Sequence, residues 1–253
     1  MTNLLVALAL IVVWELLIVV FGVPQYLVPS PWTVLWTSVD QWQLLLNHMI
    51  ATLVEVAAGF LAAAVLGIAA AVLLSYSDWL RRLLMPVLVL SQTIPKIAIA
   101  PLLLIWFGYG MAPKIIITFL ICFFPIVISA LTGFISVEKE VEILARSMGA
   151  SASHMFIKFR FPSALPLIFS GLKVSITLAV VGAIVGEFVG SDRGLGYLLL
   201  VANSNLDTPL LFSSLIVLTL IGMLLFYAVE TIERWSIPWH VSQHREVFIP
   251  NAS

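Results

Sequence analysis

Charge is what this chain has least of. Its 253 residues carry 12 Lys and Arg against 13 Asp and Glu, 10% charged in all, while 62% are hydrophobic. Soluble domains average about 25% charged residues, so this composition excludes one, and a mean hydropathy of +1.13 assigns the chain to a lipid bilayer. A basic excess is also missing: the formal net charge is -1, and twelve scattered cations make no surface for nucleic acid. Cys122 is the single cysteine, which excludes an intramolecular disulfide and a cysteine metal cluster and reads as a small buried hydrophobe. No stretch alternates apolar and polar residues along its length, which argues against an outer-membrane barrel. A phosphate-cradling G-x-x-x-x-G-K-[ST] sequence is absent, so the chain has no such loop with which to hydrolyse ATP itself. His48, His154, His240 and His244 are dispersed through loops and tail with no nucleophile, paired carboxylate or metal-ligand spacing beside them. Neither catalysis, nor a metal, nor a cofactor is expected.

What the chain does have is long hydrocarbon runs. About 20 apolar residues cross the bilayer core, and six such segments appear, at roughly 4–21, 51–74, 83–107, 115–134, 167–189 and 210–229. The first lacks a basic leader, carries Glu15 and has no small-residue cleavage site before Pro24, so it reads as a retained helix. The expected fold is a single all-α membrane domain over residues 1–253 with six transmembrane helices. Cations set its orientation. With the long polar loop at 138–166 inside, six spans put both termini there too, together with Arg81, Arg82, Lys139, Arg146, Lys158, Arg160, Arg234 and Arg245. Only Lys114 and Arg193 fall in the opposite loops, where Trp32, Trp36 and Trp42 suit the interfacial aromatic belt.

The polar loop reads as two short helices. Val141, Leu144, Ala145 and Met148 recur at helical spacing, with Glu142 and Arg146 an i, i+4 pair on another face. Ser136 is the expected N-cap, Gly149 the left-handed residue that stops the first helix, and Ser151 the start of a second that presents Met155, Phe156 and Phe159 before Pro162 and Pro166. One small helix cannot bury its apolar stripe alone. Either the bilayer and the protein's own helix ends cover it, or a soluble partner does.

The motif itself bears on that choice. Ala145, Gly149, Phe159, Phe161, Pro162, Leu165 and Pro166 reproduce the spacing of the EAA loop, and the loop resembles that of permease subunits of binding-protein-dependent ABC importers. Ile143 and Leu144 stand where that pattern has Glu and Ala, with Glu142 one place upstream, and the final L-P reads Phe161, Pro162. LVPSPWTV at 27–34, SQTIPKIAIAPLLLIWFGYG at 91–110, FFPIVISALTG at 123–133 and GEFVGSDRGLGYLL at 186–199 are similar to the nitrate, sulfonate and taurine branch of the same family. The resemblance implies a bacterial inner-membrane subunit with a five-helix core and one outer span. It would pair with a second permease copy, two cytoplasmic ABC ATPase subunits and an extracytoplasmic binding protein, with membrane lipid around it. In it Glu142, Ala145, Arg146, Gly149, Ala150, Ser151, Phe156 and Pro162 would form the ATPase-coupling element. The cargo would be a sulfonate, taurine or nitrate-like anion, or a vitamin precursor such as hydroxymethylpyrimidine or riboflavin, which ERWSIPWH at 233–240 resembles faintly.

Groups that hydrocarbon tolerates poorly mark the expected pathway. Pro86, Pro95 and Pro101 interrupt the third span around Gln92, Thr93 and Lys96, and broken backbone at membrane depth survives only against protein or a water-filled cavity. A mid-span ammonium facing lipid costs roughly 2.5–3.5 kcal/mol. Gln92 and Lys96 are therefore pathway candidates, with a structural ion pair as the alternative for Lys96. Glu55, Lys173 and Glu187 are candidates too, Glu55 as a partner for either Lys173 or Lys96 and Glu187 beside a glycine-rich outer gate or hinge. A carrier driven by an ion gradient through Lys96, Glu55 and Glu187 is the rival reading from a different class.

Overall fold

The computed structural model describes residues 2–137 and 139–239, and every regular element among them is helical. Glu138, His240, His244 and Arg245 lie outside the described residues, as does the side chain of Lys139. The chain runs α1 (Thr2–Phe21), α2 (Pro31–Asp40), α3 (Trp42–Tyr76), α4 (Asp78–Thr93), α5 (Lys96–Phe107), α6 (Met111–Ile135), α7 (Lys139–Ser147), α8 (Ala152–Met155), a π-helical turn (Phe156–Arg160), α9 (Phe161–Gly190), α10 (Leu195–Ser204) and α11 (Thr208–Ser236). Side chains with an oxygen start several of these. Ser30 accepts from Thr33 N at 3.2 Å ahead of α2, Ser77 from Leu80 N at 3.2 Å ahead of α4, and Asp207 from Leu210 N at 3.1 Å ahead of α11. Pro31 and Pro209 occupy first-turn positions that need no N–H donor.

α6 is the centre of the packing, held between α3 and α9. Gly59 on α3 and Gly182 on α9 both press on Thr118 of α6, so closely that an added Cβ would fall 2.6 Å and 2.9 Å from its atoms. Membrane helices gain association energy from such close backbone approach rather than from expelling water. Cys122 and Ser175 extend the α6–α9 contact through reciprocal 3.2 Å bonds, each side chain donating to the other's carbonyl. Cys122 is thus fully buried, as the sequence implied, with a specific donor role added.

Four stretches are long and apolar enough to cross a membrane: α3, α6, the continuous run Ala152–Gly190, and α11. The third expected span, 83–107, is instead α4 and α5 meeting at 92°. Pro95 is the cause, because it pushes the residue before it out of the helical region, and Ile94 is extended at φ -68 and ψ 125. The pair still carries the chain across. Tyr76 at the end of α3 and Phe134 at the end of α6 both pack on Phe156, whereas Glu55 and Lys114, nearer their starts, contact each other at the opposite end. α3 and α6 are therefore parallel, and α4 with α5 must return the chain between them. Counted so, the described helices from α3 to α11 give five crossings. The expected first span is a helix, α1, whose 20 residues over Thr2–Phe21 have the length of a crossing.

Candidate functional site

The polar loop folds as the expected helix, glycine turn and helix. α7 has Glu140 and Glu142 in its first turn and Arg146 in its last, each favourable to the helix dipole. Gly149 sits at φ +83. Gly149 N–H donates to Arg146 O at 3.0 Å and Ala150 N–H to Ala145 O at 3.0 Å, the two bonds of a Schellman end. Ser151 Oγ then accepts from His154 N at 3.3 Å to open α8. Pro162 cannot donate to Lys158 O, and the wider π turn lies immediately before it, closed by Phe161 N–H to Phe156 O. Phe156 anchors the element to the bundle, 5.3 Å from the ring of Tyr76 and 5.4 Å from that of Phe134.

One expected cap is corrected. Ser136 ends α6 rather than starting α7, its hydroxyl donating to Gly133 O at 2.8 Å. Of the expected apolar stripe, Ala145 and the following Met155 are buried. Leu144 and Met148 remain 62% and 80% exposed, next to Ile143 at 67%. The polar residues, by contrast, are used internally. Glu142 accepts from Arg146 at 2.8 Å and from Arg160 at 3.1 Å, tying α7 to the π turn. Those two guanidinium groups hold the Glu142 carboxyl below its ordinary range. A cavity of about 790 Å³ separates this element from the ends of α3, α4 and α6, with Arg81, Arg82, Arg146 and Arg160 on its wall.

At the opposite end the structure pairs the intramembrane charges differently from the expectation. Glu55 meets neither Lys173 nor Lys96. Its carboxylate contacts Lys114, which the sequence placed in a loop and which is in fact buried in the first turn of α6. Lys173 pairs with Glu233 of α11 at 2.7 Å. Lys96 begins α5 with its Nζ 5.3 Å from the centroid of the Phe124 ring, and Gln92 is exposed near the end of α4, so the two flank the 92° bend. Glu187 is buried and accepts from Thr52 Oγ1 at 2.6 Å and from the N–H groups of Gly196 and Tyr197. His48, also expected in a loop, lies on α3 with Nδ1 3.1 Å from Gly194 N. Thr52, Ser191 and Glu233 carried no signal of their own in the sequence, and Lys114 and Arg160 stood out there only as cations that set orientation. Residue spacing held one signal: Thr52, Glu55 and Gly59 share one helical face, and a charge on a small-residue face points at a neighbouring helix rather than lipid.

Comparison with known proteins agrees with this architecture. Residues 63–239 match the family described as binding-protein-dependent transport system inner membrane component, and the chain belongs to that family. It is 37% identical over 237 residues to the formylaminopyrimidine transport permease protein ThiX of Halalkalibacterium halodurans, covering 93% of this chain and 94% of that one. Against the riboflavin transport system permease protein RibX of Chloroflexus aurantiacus it is 35% identical over 236 residues, 92% of this chain and 88% of that one. Its fold is similar to a chain of the MetNI methionine ABC transporter in an inward-facing conformation, with a TM-score of 0.66 over 77% of this chain and 97% of that chain at 19% identity. This is a multi-pass membrane permease of the binding-protein-dependent ABC importer class, in the branch its loop and glycine motifs resemble.

Proposed function

We propose that two copies of this permease form a homodimer whose translocation path follows the two-fold axis, with one cytoplasmic ATPase subunit seated on each α7–α8 element. The observation that carries the reading is the state of that element: rigidly capped, internally paired in its charges, and exposed in Ile143, Leu144 and Met148. A rigid helix seated in a cleft passes the partner's closure to the membrane helices as rigid-body movement. Its cytoplasmic placement, with both termini on the same side once α1 makes a sixth crossing, is supported by Arg81, Arg82, Arg146, Lys158, Arg160 and Arg234, against Arg193 as the exposed cation at the other end. Ala145, Gly149, Ala150, Ser151, Phe156 and Pro162 shape the coupling element, and Glu142 with Arg146 braces it.

Gln92 and Lys96 at the α4–α5 bend are the pathway residues of this proposal. Glu55, Lys173 and Glu187 are held within one protomer and hold helices together instead. An extracytoplasmic binding protein delivers the cargo, which we read as a small polar heteroaromatic vitamin precursor rather than a sulfonate or nitrate. The relatives named for formylaminopyrimidine and riboflavin support that choice, as does a Lys96 ammonium placed over an aromatic ring rather than left free for an anion. Purification in mild detergent should bring down an ATPase, and vesicle uptake should stop on ATP depletion. Uptake that persists in ATP-depleted vesicles on an ion gradient, with no ATPase retained, restores the carrier reading. Mass spectrometry of the ligand that copurifies with the binding protein decides the cargo, and a bound sulfonate would overturn the choice made here.

A further inference from the structure

The cluster at the end of the bundle away from the coupling loop holds more negative charge than its own cation balances. Glu55 on α3 is fully buried, Glu187 on α9 is 1% exposed and Lys114 on α6 is 4% exposed. The Lys114 ammonium contacts Glu55 Oε1 and donates to Ser191 Oγ at 2.9 Å. Glu187 collects neutral donors only: Thr52 Oγ1 and the first N–H groups of α10. Thr52, which donates to Glu187, lies one turn before Glu55 on α3, so the two buried carboxyl groups belong to one site. Carboxylates are acceptors only, so two in one site repel unless one oxygen carries a hydrogen. Glu55 Oε2 is buried with no hydrogen-bond donor, and a buried acceptor without a donor is costly.

Other groups around the cluster leave the sum unchanged. On α3, His48 Nδ1 faces the backbone of Gly194, and on α10 Tyr197 stacks against the His48 ring. Asp192 and Arg193 in the exposed loop offset each other at 3.8 Å. Lys96 of α5 lies over Phe124, and on α11 Glu233 and Glu230 pair with Lys173 and Arg234. Two carboxylates and one ammonium would leave a net negative charge in a buried site, which proteins avoid by neutralising a group.

We propose that Glu55 and Glu187 bind one proton between them at neutral pH, so that the cluster comprises one carboxylate, one carboxylic acid and one ammonium. The proton turns one of two buried acceptor-only groups into a donor, in a site where Glu55 Oε2 has none. It also leaves Glu187 free to hold the start of α10 against α3, where Gly194 and Gly196 make room for the carboxyl that any side chain there would strike. With both carboxyls sealed from solvent, the proton leaves only when the segment at 191–196 moves away.

Infrared difference spectroscopy of the full-length protein in lipid tests this. At neutral pH the wild type should show a protonated-carboxyl C=O component that disappears in Glu187→Gln and equally in Glu55→Gln, since either change leaves one carboxylate to balance the one Lys114 ammonium. Lys114→Met should enlarge it, because both carboxyls then lack a cation. Glu15→Gln, on the exposed side of α1, and His48→Gln should leave it in place. Absence of the component in the wild type, or its survival in both Glu→Gln variants, overturns the proposal. If a variant fails to assemble, titration of the wild type decides: the component should persist far above the ordinary carboxylate range, and its loss together with the exposed carboxyls refutes a held proton.

Discussion

Glu142 accepts hydrogen bonds from two arginines on different segments, and the sign of its pH dependence follows. Its carboxyl is held below the ordinary value of 4.5 by Arg146 first and then Arg160. A depressed carboxyl adds stability that is fully present above its unfolded value and is lost as pH falls through the folded one. The pairs are partly exposed, so Glu142→Gln should cost only roughly 0.5–1 kcal/mol locally. Hydrogen exchange of the α7 amides should quicken by about two- to fivefold at neutral pH, and the difference from wild type should shrink as pH falls below 4.5 and vanish once it has passed the lower folded value. Lys114 is the opposite case. Removing one partner of a buried ion pair leaves an uncompensated charge, so Lys114→Met should lower stability by roughly 3–5 kcal/mol, read as thermal aggregation in detergent. Adding Glu55→Leu to Lys114→Met should recover most of that loss, since the pair itself has little net value over apolar replacements.

At the scale of elements, the helix, glycine and helix of residues 139–155 depend on one backbone conformation. A Cβ on Gly149 would meet nothing within 4 Å, so substitution there is a test of φ +83 rather than of space. Gly149→Asn should be nearly neutral, Gly149→Ala should cost about 1 kcal/mol and Gly149→Val more, because the left-handed region penalises a Cβ and most of all a branched one. Retention of the ATPase on purification should fall in the same order while membrane insertion stays unchanged. Helix, glycine and helix were legible here because helical periodicity and a C-terminal glycine are local signals. Ser136 misled because a serine between two helices caps either one. The bend at Pro95 was visible as proline but not as an angle, since a proline tells where a helix breaks and not how the halves are held. Glu55, Lys114 and Glu187 were each conspicuous alone, yet their meeting depends on α3 running parallel to α6. That direction is set by how α4 and α5 return the chain, which no local pattern encodes.

For the whole molecule, what matters is which surface the folded chain leaves unused. Much of its exposed apolar area lies on helices long enough to sit in lipid, where exposure costs nothing. α7 is nine residues long, with acids in its first turn and a basic residue in its last, so it is no membrane span. Its Ile143, Leu144 and Met148 nevertheless project from an element whose charges are already paired. If bilayer headgroups covered them, acidic replacements would loosen the loop from lipid but leave transport subunits assembled. If an ATPase cleft covers them, Leu144→Asp with Met148→Asp should leave the permease folded, with unchanged thermal stability, because neither side chain packs on the bundle. The same variant should lose the ATPase on purification by at least tenfold, since two buried anchors of an interface each contribute about 1–2 kcal/mol or more. Pull-down yield and uptake should fall together. Full ATPase retention in this double variant would show that α7 faces lipid, and the energy for transport would have to enter through another surface.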